Sequence, residues 1–432
     1  MTSFMPMRSI AQPPGYKKGD VMVIFGELFN RGYANGIVEA AEKLGMSVIY
    51  GTVGRRDPDG NLRALNAEEL AQKPHTTINF PLEAGFDFEP ANDGTTPCDQ
   101  ISKVKMSEWL SAKLNWEQVE QSRQSATKRF RTNVSLFMNE LALKIPPTAN
   151  ILFVHTMAGG VPRAKILMPV MNRVFKGRGD RFQESETFWQ SELGKLCDLN
   201  FNEVTADTFK YLVEESSAIR EQATKNGRKV SYVAYGYHGT EVLINGEYRW
   251  QSYSPYVQGW AKKRLEDHAV AYSKKGIACT VYNCPEILTN SSSIFLGVEV
   301  CLYPLLSAYK KEGTDHPLIK QKFSELQKLL KPEISLEQML ERCNSFISNP
   351  VITNSYDLKT WPQHNTKEQM EVLLEASSQL IDMHQDTKDL ITFRLSEDVF
   401  KASGALMLAD AWSAKQPVWW LGHDIIAKQI LS

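Results

Sequence analysis

Tyr253 and Lys262 are the pair of residues in this sequence best suited to acid–base chemistry. Eight residues separate them, and they lie between an apolar segment predicted as a strand, Ser231–Tyr235, and a second one ending near Leu288–Thr289. A phenol can donate a proton to a substrate, and a nearby ammonium group stabilises the remaining phenolate and can hydrogen-bond a cofactor ribose. This arrangement is what a nicotinamide-dependent reductase requires. Tyr256 is closer to the lysine along the chain and is the alternative proton donor.

A glycine-containing loop lies between the first apolar strand, Val21–Phe25, and a predicted helix, Ile37–Leu44. Glycines at this position let the backbone approach a pyrophosphate, and the start of the helix supplies free N–H groups. Any tight turn favours glycine, so the position after a strand and before a helix is the informative part of the pattern. The candidate cofactor contacts of this loop are Gly26, Arg31, Gly32, Gly36 and Ile37.

Two arginines, Arg55 and Arg56, follow the second predicted strand, Ser47–Tyr50. A carboxylate at the end of this strand would favour the ribose hydroxyls of NADH, whereas arginines can receive the 2′-phosphate of NADPH. The first carboxylate after the strand is Asp57, which lies beyond both arginines. We therefore expect NADPH as the cofactor, with NADH possible. The alternative is that both arginines lie in a solvated loop.

These elements alternate as strand, helix and strand, with further strands at Ile151–Val154, Lys229–Tyr235 and Ile277–Tyr282. Such an alternation predicts an α/β fold of the Rossmann type, a doubly wound parallel sheet with helices on both faces. The last part of the chain has helical spacing interrupted by prolines. We expect residues 1–317 to form an NAD(P)-binding reductase domain with substrate-covering helices, and residues 318–432 to form a helical C-terminal extension packed on it.

The segments between the strands are less regular. The polar stretch from Asp57 to Asp99 predicts a loop with short elements, whereas Met106–Lys144 and Phe201–Thr224 have helical spacing. Near the end of the chain, Trp419 and Trp420 are too apolar to be left in solvent. We expect this pair to pack against the body of the protein or against a second subunit.

The composition restricts the class of protein. The 432 residues include 49 Lys and Arg against 50 Asp and Glu, which gives no reason to expect nucleic acid or an anionic membrane as a partner. No apolar run is long enough to span a bilayer, and the first 20 residues lack the apolar segment of a secretory signal. The six cysteines are not spaced as zinc ligands. We therefore expect a cytoplasmic protein with reduced thiols and no metal site.

The order of several motifs resembles the trans-2-enoyl-CoA reductases and the related long-chain enoyl-ACP reductases, a divergent branch of the short-chain dehydrogenase/reductase superfamily. The resemblance rests on the spacing from Tyr253 to Lys262, on Leu288–Ile294 and on Lys310–Thr314, and it is clearest from Ser231 to His316. The Tyr-x3-Lys spacing of ordinary short-chain dehydrogenases does not occur, because Gln258 stands where the tyrosine would be.

The resemblance implies hydride transfer from NAD(P)H to the C=C bond of a 2-enoyl thioester, carried by coenzyme A or by acyl carrier protein. It implies that Tyr253 donates the proton, that Tyr237 contacts the thioester carbonyl, and that Lys262 stabilises negative charge. His155 is expected to be an ordinary residue at the end of a strand. The resemblance also implies that loops after two later strands line the cofactor, through Thr156, Met157, Ala158, Leu288 and Thr289.

Two alternatives follow from the same residues. The first is a carbonyl reductase or dehydrogenase that uses the tyrosine and the lysine on a ketone, because a sequence does not place the reacting carbon beneath the nicotinamide. The second is a non-catalytic dinucleotide-binding scaffold protein whose helical C-terminal third is the functional surface; the intact Tyr253 and Lys262 pair argues against it. The acyl-chain length, the carrier and the oligomeric state, including a possible homo-oligomer, stay open at this stage.

Overall fold

The structure is a computed structural model that describes residues 4–12, 15–237, 239–244, 246–251, 257–289, 296–353 and 364–432. The strands are β1 (Val21–Phe25), β2 (Ser47–Thr52), β3 (Arg55–Arg56), β4 (Leu62–Arg63), β5 (Thr77–Pro81), β6 (Ile151–His155), β7 (Val230–Gly236), β8 (Thr240–Ile244), β9 (Glu247–Gln251), β10 (Cys279–Asn283) and β11 (Val418–Trp420).

The helices of the first part of the chain surround these strands. They are α1 (Ala34–Lys43), α2 (Ala67–Ala71), α3 (Pro97–Ile101), α4 (Trp116–Lys144), α5 (Leu167–Lys176), α6 (Ser185–Gln190), α7 (Glu192–Phe201), α8 (Thr208–Glu215), α9 (Ser217–Lys225) and α10 (Val257–Ser273). Short 3-10 turns lie at Trp109–Ser111 and Gly179–Arg181, and a π-helical segment, Asn202–Asp207, connects α7 to α8.

The later helices are α11 (Val298–Leu302), α12 (Leu305–Gly313), α13 (Pro317–Gln327), α14 (Leu336–Ile347), α15 (Pro350–Thr353), α16 (Lys367–Asp382), α17 (Ile391–Asp410) and α18 (His423–Leu431). Within the described residues, no helix combines the length and the apolar character that crossing a membrane requires.

Seven strands form one parallel sheet in the order β5-β2-β1-β6-β7-β10-β11 across the described part of the chain. The strand order reverses between β1 and β6. This is the doubly wound arrangement, and it confirms the predicted Rossmann-type fold. In such sheets, ligands bind outside the carboxyl ends of the strands at the point of reversal, because the loops there turn in opposite directions.

The central strand β1 shows why the sheet must be covered on both faces. Its five residues are all apolar and all buried. Met22 and Ile24 point into one core, which they share with Ile37 of α1 and with the later helices. Val21, Val23 and Phe25 point into the other core, formed with α4 and α10. A strand buried on both faces reads as a continuous apolar run, which is why the sequence predicted it correctly.

The structure adds two edge strands to the predicted sheet. Within the predicted loop with short elements from Asp57 to Asp99 lies the edge strand β5, and Val418–Trp420 forms the opposite edge strand β11. The long helix α4 begins at Trp116 rather than at Met106, because the side chain of Asn115 accepts hydrogen bonds from the N–H groups of the first turn. Trp420 is fully buried against the body of the protein, as expected.

A close crossing of α1 and α17 joins the glycine-containing loop to the C-terminal part of the chain. A Cβ atom added to Gly36 would lie 1.8 Å from the carbonyl oxygen of Phe400, and one added to Gly404 would lie 2.1 Å from the carbonyl carbon of Gly36. The two helices therefore touch backbone to backbone, which only glycine allows at these positions.

We expect Gly404→Ala to lower the free energy of unfolding by at least about 2 kcal/mol, because the new methyl group meets backbone that has no room to move. Urea denaturation measures the change. Gly15→Ala is the control, since a Cβ atom there meets no atom within 4 Å. Equal stability of the Gly404→Ala variant and the wild type would contradict the tight crossing.

Candidate active site

A cleft of about 180 Å³ lies at the carboxyl ends of β1, β6 and β7, where the strand order reverses. Its walls come from the loop before α1, the loop after β6, the end of β7, the start of α10 and the loop after β10. These parts are far apart in the sequence, and they bring predicted site residues together. The predicted residues that line the cleft are Arg31, Gly32, Thr156, Ala158, Tyr237, Lys262 and Thr289.

A second cavity of about 250 Å³ adjoins the first and extends towards the ends of β2 and β5. The two share Glu27, Phe29, Thr156 and Ala158 in their linings. Together they form a groove across the carboxyl edge of the sheet. This is the position and the elongated shape that a dinucleotide needs, with its two halves on either side of the central strand.

Gly26 lies directly after β1 and packs against Thr156, which lines both cavities. Its φ of +128° is in the region that favours glycine, and a Cβ atom there would lie 2.5 Å from Thr156 Oγ1. The backbone N–H of Thr156 donates to the carbonyl of Phe25 over 3.0 Å, which holds the two loops together. Only a residue without a side chain therefore fits between β1 and the loop that carries Thr156.

Lys262 is 4% exposed, yet it lines the cleft from α10. Burial lowers the pKa of its ammonium group to about 8. Among the described residues no carboxylate forms an ion pair with it. A buried cation without an anionic neighbour is costly unless a ligand supplies the partner.

His155 ends β6 and reaches the cleft wall, but it is held as part of the core. Its Nε2 lies 2.8 Å from Thr208 Oγ1, and its ring stacks on Phe25. Burial, together with the nearby charge of Lys262, lowers its pKa well below the usual value. The imidazole is therefore neutral at pH 7.

Tyr237 and Glu286 meet on the wall of the cleft beyond β7 and β10. A hydrogen bond joins the two side chains, and Glu286 is 5% exposed. Burial raises the pKa of this carboxyl group to about 8, against the opposing effect of the hydrogen bond. Thr289 lines the cleft a few residues further along the same loop. Tyr253 and Tyr256, the two candidate proton donors, lie outside the described residues.

A family model for the enoyl-acyl carrier protein reductase FabMG matches residues 3–430. The chain belongs to the FabMG family. A structure described as apo FabMG, a novel type of enoyl-acyl carrier protein reductase, is 44% identical with a TM-score of 0.96, and the match covers 100% of this chain and 98% of that one. The NADH-bound structure of a FabMG is 37% identical with a TM-score of 0.80, covering 100% and 99%. A comparison with curated protein sequences found no significant match.

Membership of the FabMG family confirms the predicted class. The chain is an NAD(P)H-dependent oxidoreductase of the enoyl reductase type, rather than a carbonyl reductase or a non-catalytic scaffold. The resemblance to long-chain enoyl-ACP reductases therefore predicted the class of reaction correctly. Within the described part of the chain, no group of three or more His, Cys, Asp or Glu side chains could hold a metal ion.

Arg55 and Arg56, which were expected to receive a 2′-phosphate, line neither cavity of this FabMG-family chain. The guanidinium group of Arg55 donates two hydrogen bonds to Glu27, over 3.0 and 2.9 Å, and Arg56 lies 2.6 Å from Glu83. Both arginines are therefore already paired with carboxylates. The sequence did not indicate that Glu27 pairs with Arg55, because the two residues are 28 positions apart.

Four other predicted contacts lie away from the cleft. Gly36 serves the crossing with α17, and Ile37 is buried in the core. Met157 lines the adjoining cavity, and the backbone N–H of Leu288 donates to Ser396 of α17 over 2.9 Å. Met157 therefore faces the groove through the adjoining cavity, whereas Gly36, Ile37 and Leu288 line neither cavity.

Glu27 and Glu286 line the cleft but were not predicted. Their positions in the sequence could have indicated a functional role. Glu27 follows the first strand directly, and Glu286 lies between Cys284 and Ile287 in an otherwise apolar segment. An ionisable residue at the carboxyl end of a buried strand is a candidate for a functional site.

We expect Lys262→Met to lower turnover at least about a hundredfold and to raise stability at the same time. At pH 7 the lysine is charged in both the folded and the unfolded state, so the full cost of burying the charge is present. Since burial lowers its pKa from 10.5 to about 8, this cost is on the order of 3 kcal/mol. The stability difference should shrink as the pH rises from about 8 and vanish above 10.5, where lysine is neutral in both states.

Turnover assays and urea denaturation at several pH values measure both effects. Lys263→Met is the matched control, because Lys263 pairs with Asp267 on the outer side of the same helix. A Lys262→Met variant with normal turnover, or with reduced stability, would show that the lysine has another role.

Proposed function

We propose that this chain reduces the C=C bond of an enoyl thioester of acyl carrier protein with NADH, and that Lys262, Tyr237 and Tyr253 contact the reacting groups. The observation that carries the proposal is that Lys262 and Tyr237 face one cleft at the reversal point of the sheet. One is a buried cation without a carboxylate partner among the described residues, and the other is a phenol at the end of a strand. A ligand with negative or partial negative charge satisfies both groups.

The bound cofactor supplies a hydride for the β-carbon of the thioester. Negative charge then develops on the thioester oxygen, and the hydroxyl of Tyr237 donates a hydrogen bond to that oxygen. The ammonium group of Lys262 hydrogen-bonds the cofactor ribose and offsets the developing charge. Tyr253 donates the proton that completes the reduction. These interactions are strong because the cleft wall has little contact with water, so that charges attract over a low effective dielectric constant.

NADH is favoured over NADPH by the charges at the far end of the groove. Glu27, Glu83 and Asp87 line the adjoining cavity, and its one described cation, Arg163, pairs with Asp87 and Glu83 over 2.8 and 3.0 Å. A 2′-phosphate carries about two negative charges at neutral pH and would meet these carboxylates. We therefore propose NADH in place of the NADPH that the two arginines suggested.

Glu27 is the central residue of this charge arrangement. It accepts hydrogen bonds from Thr52 and Arg55 and pairs with Lys73 over 2.6 Å. Burial alone would raise its pKa, but the hydrogen bonds from Arg55, Lys73 and Thr52 lower the pKa to about 2. The carboxylate is therefore charged at any pH at which the protein works. It pairs with Arg55 and Lys73, two cations that could otherwise bind a phosphate.

We expect Glu27→Gln to shift coenzyme preference towards NADPH by about tenfold, which is about 1.4 kcal/mol. The substitution frees Arg55 and Lys73 and removes a negative charge from the groove. The ratio of the Kd values for NADPH and NADH measures the shift. Glu69→Gln is the control, because it breaks the pair with Arg63 outside the groove. An unchanged ratio in Glu27→Gln would contradict the role of this carboxylate.

We expect NADH oxidation by wild-type protein with a 2-enoyl thioester of acyl carrier protein, at a higher kcat/KM than with the coenzyme A thioester. Tyr253→Phe should lower kcat at least about a hundredfold and leave the Kd for NADH nearly unchanged, since it removes only the donated proton. Tyr256→Phe is the matched control and should keep most of the activity.

The opposite result, with Tyr256→Phe inactive and Tyr253→Phe active, would transfer the proton donation to Tyr256. Binding of NADH without turnover of either thioester would mean that the cofactor site is right and the substrate is wrong.

A further inference from the structure

Glu286 is a buried acid in the cleft wall that the proposed roles of Lys262, Tyr237 and Tyr253 do not use. It follows β10 in a loop that is fastened on two sides. Tyr33 donates to the carbonyl of the preceding Pro285 over 2.6 Å, and Leu288 N–H donates to Ser396. The carboxyl group therefore has a defined position rather than a choice of solvent-exposed rotamers.

The two carboxyl oxygens of Glu286 have different surroundings. The carboxyl group is hydrogen-bonded to Tyr237, and it also accepts a hydrogen bond from the backbone N–H of Ile287. Its Oε2 atom, however, is buried without a hydrogen-bond partner among the described residues. A buried, ionised carboxylate normally accepts several hydrogen bonds or pairs with a cation, so this environment favours the neutral acid.

The groups around Glu286 do not compensate a negative charge. The titratable groups that line this end of the cleft with Glu286 are Tyr33, His155, Tyr235, Tyr237 and Lys262, and the buried thiol of Cys284 lies near Lys262. Of these only Lys262 is a cation at pH 7, and among the described residues it forms no ion pair with Glu286. Arg31 lines the same cleft, but its guanidinium group lies over the ring of Phe393, 5.7 Å from the ring centre.

A neutral carboxyl group changes the direction of the hydrogen bond with Tyr237. As a carboxylate, Glu286 only accepts, and the hydroxyl hydrogen of Tyr237 is directed at the carboxyl group and away from a substrate. As a neutral acid, Glu286 donates its own hydrogen to Tyr237 Oη. The hydroxyl hydrogen of Tyr237 is then free to point into the cleft, and the two successive hydrogen bonds strengthen each other.

We propose that Glu286 is a positioning residue that donates its carboxyl hydrogen to Tyr237 Oη and so directs the Tyr237 hydroxyl at the thioester oxygen. The inference rests on the proposed function for the role of Tyr237, but the protonation of Glu286 does not depend on it. The neutral form also agrees with the effect of burial, which raises the pKa of this group to about 8.

The first test measures protonation directly and needs no turnover. The infrared difference spectrum of wild type minus Glu286→Gln should contain the band of a protonated carboxyl group at about pH 6, and the band should be lost at about pH 10, on either side of a pKa of about 8. In a Tyr237→Phe background the same band should shift, because the hydrogen bond is removed. A carboxylate band at about pH 6 would overturn the inference.

The second test is the pH dependence of kcat. Glu286→Gln keeps an N–H donor for Tyr237 that does not titrate, so kcat at pH 7 should stay within about threefold of wild type. Glu286→Leu removes the donor and should lower kcat at least about tenfold with little change in the KM for NADH. A larger loss in Glu286→Gln than in Glu286→Leu would overturn the inference.

Both Glu286 and Lys262 lose a proton near pH 8, so the alkaline decline of wild-type kcat should contain two ionisations. In Glu286→Gln the decline should contain only the one from Lys262 and become less steep. An unchanged decline would assign it to Lys262 alone and overturn the inference. If Glu286→Gln does not fold, the wild-type and Tyr237→Phe infrared spectra across the pH range still decide the protonation state.

If wild-type protein turns over no enoyl thioester while the protonated band of Glu286 is present, the proposed function fails and the protonation of Glu286 stands. If turnover is normal and the band is missing, the proposed function stands and the positioning role fails.

Discussion

The backbone contact between α1 and α17 is the constraint on which the site depends. Gly36 and Gly404 let the two helices touch without intervening side chains, so the position of α1, and of the loop before it, is set by a helix near the end of the chain. The same helix accepts the N–H of Leu288 at Ser396, which fixes the loop after β10. One element therefore holds two walls of the cleft, and β11 adds the last strand of the sheet. Residues that carry no chemistry decide the distance across the active site.

The cleft wall combines low exposure with ionisable groups of opposite kinds. Burial lowers the pKa of Lys262 and raises that of Glu286, so each group is pushed towards its neutral form. Such groups reduce stability, and their cost must be offset by the large apolar cores on the two faces of the sheet. They bind a polar ligand well for the same reason, since the ligand supplies the hydrogen bonds and charge interactions that these groups lack in the folded chain.

At the far end of the groove, in contrast, the charged side chains are paired with one another. There each described cation is paired with a carboxylate, so that the partly exposed cations Arg55 and Lys73 form one charged cluster with the buried Glu27. A saturated cluster holds its geometry and does not need a ligand. The carboxylates of Glu83 and Asp87 are paired in the same way, because Arg163 contacts both of them and Arg56 also pairs with Glu83. The proposed preference for NADH thus depends on which charges are already neutralised.

The sequence by itself determined the parallel sheet and the place of the glycine-containing loop, because these follow from apolar periodicity and from the order of strands, which are local properties. The resemblance around Lys262 also identified the chemistry. Only the tertiary structure decided that Arg55 is neutralised by Glu27, that Gly36 serves a helix crossing, and that Glu286 meets Tyr237. Each of these outcomes depends on a partner distant in the chain. The type of a residue determines which hydrogen bonds and ion pairs its side chain can form, but the packing of the fold decides with which partner it forms them.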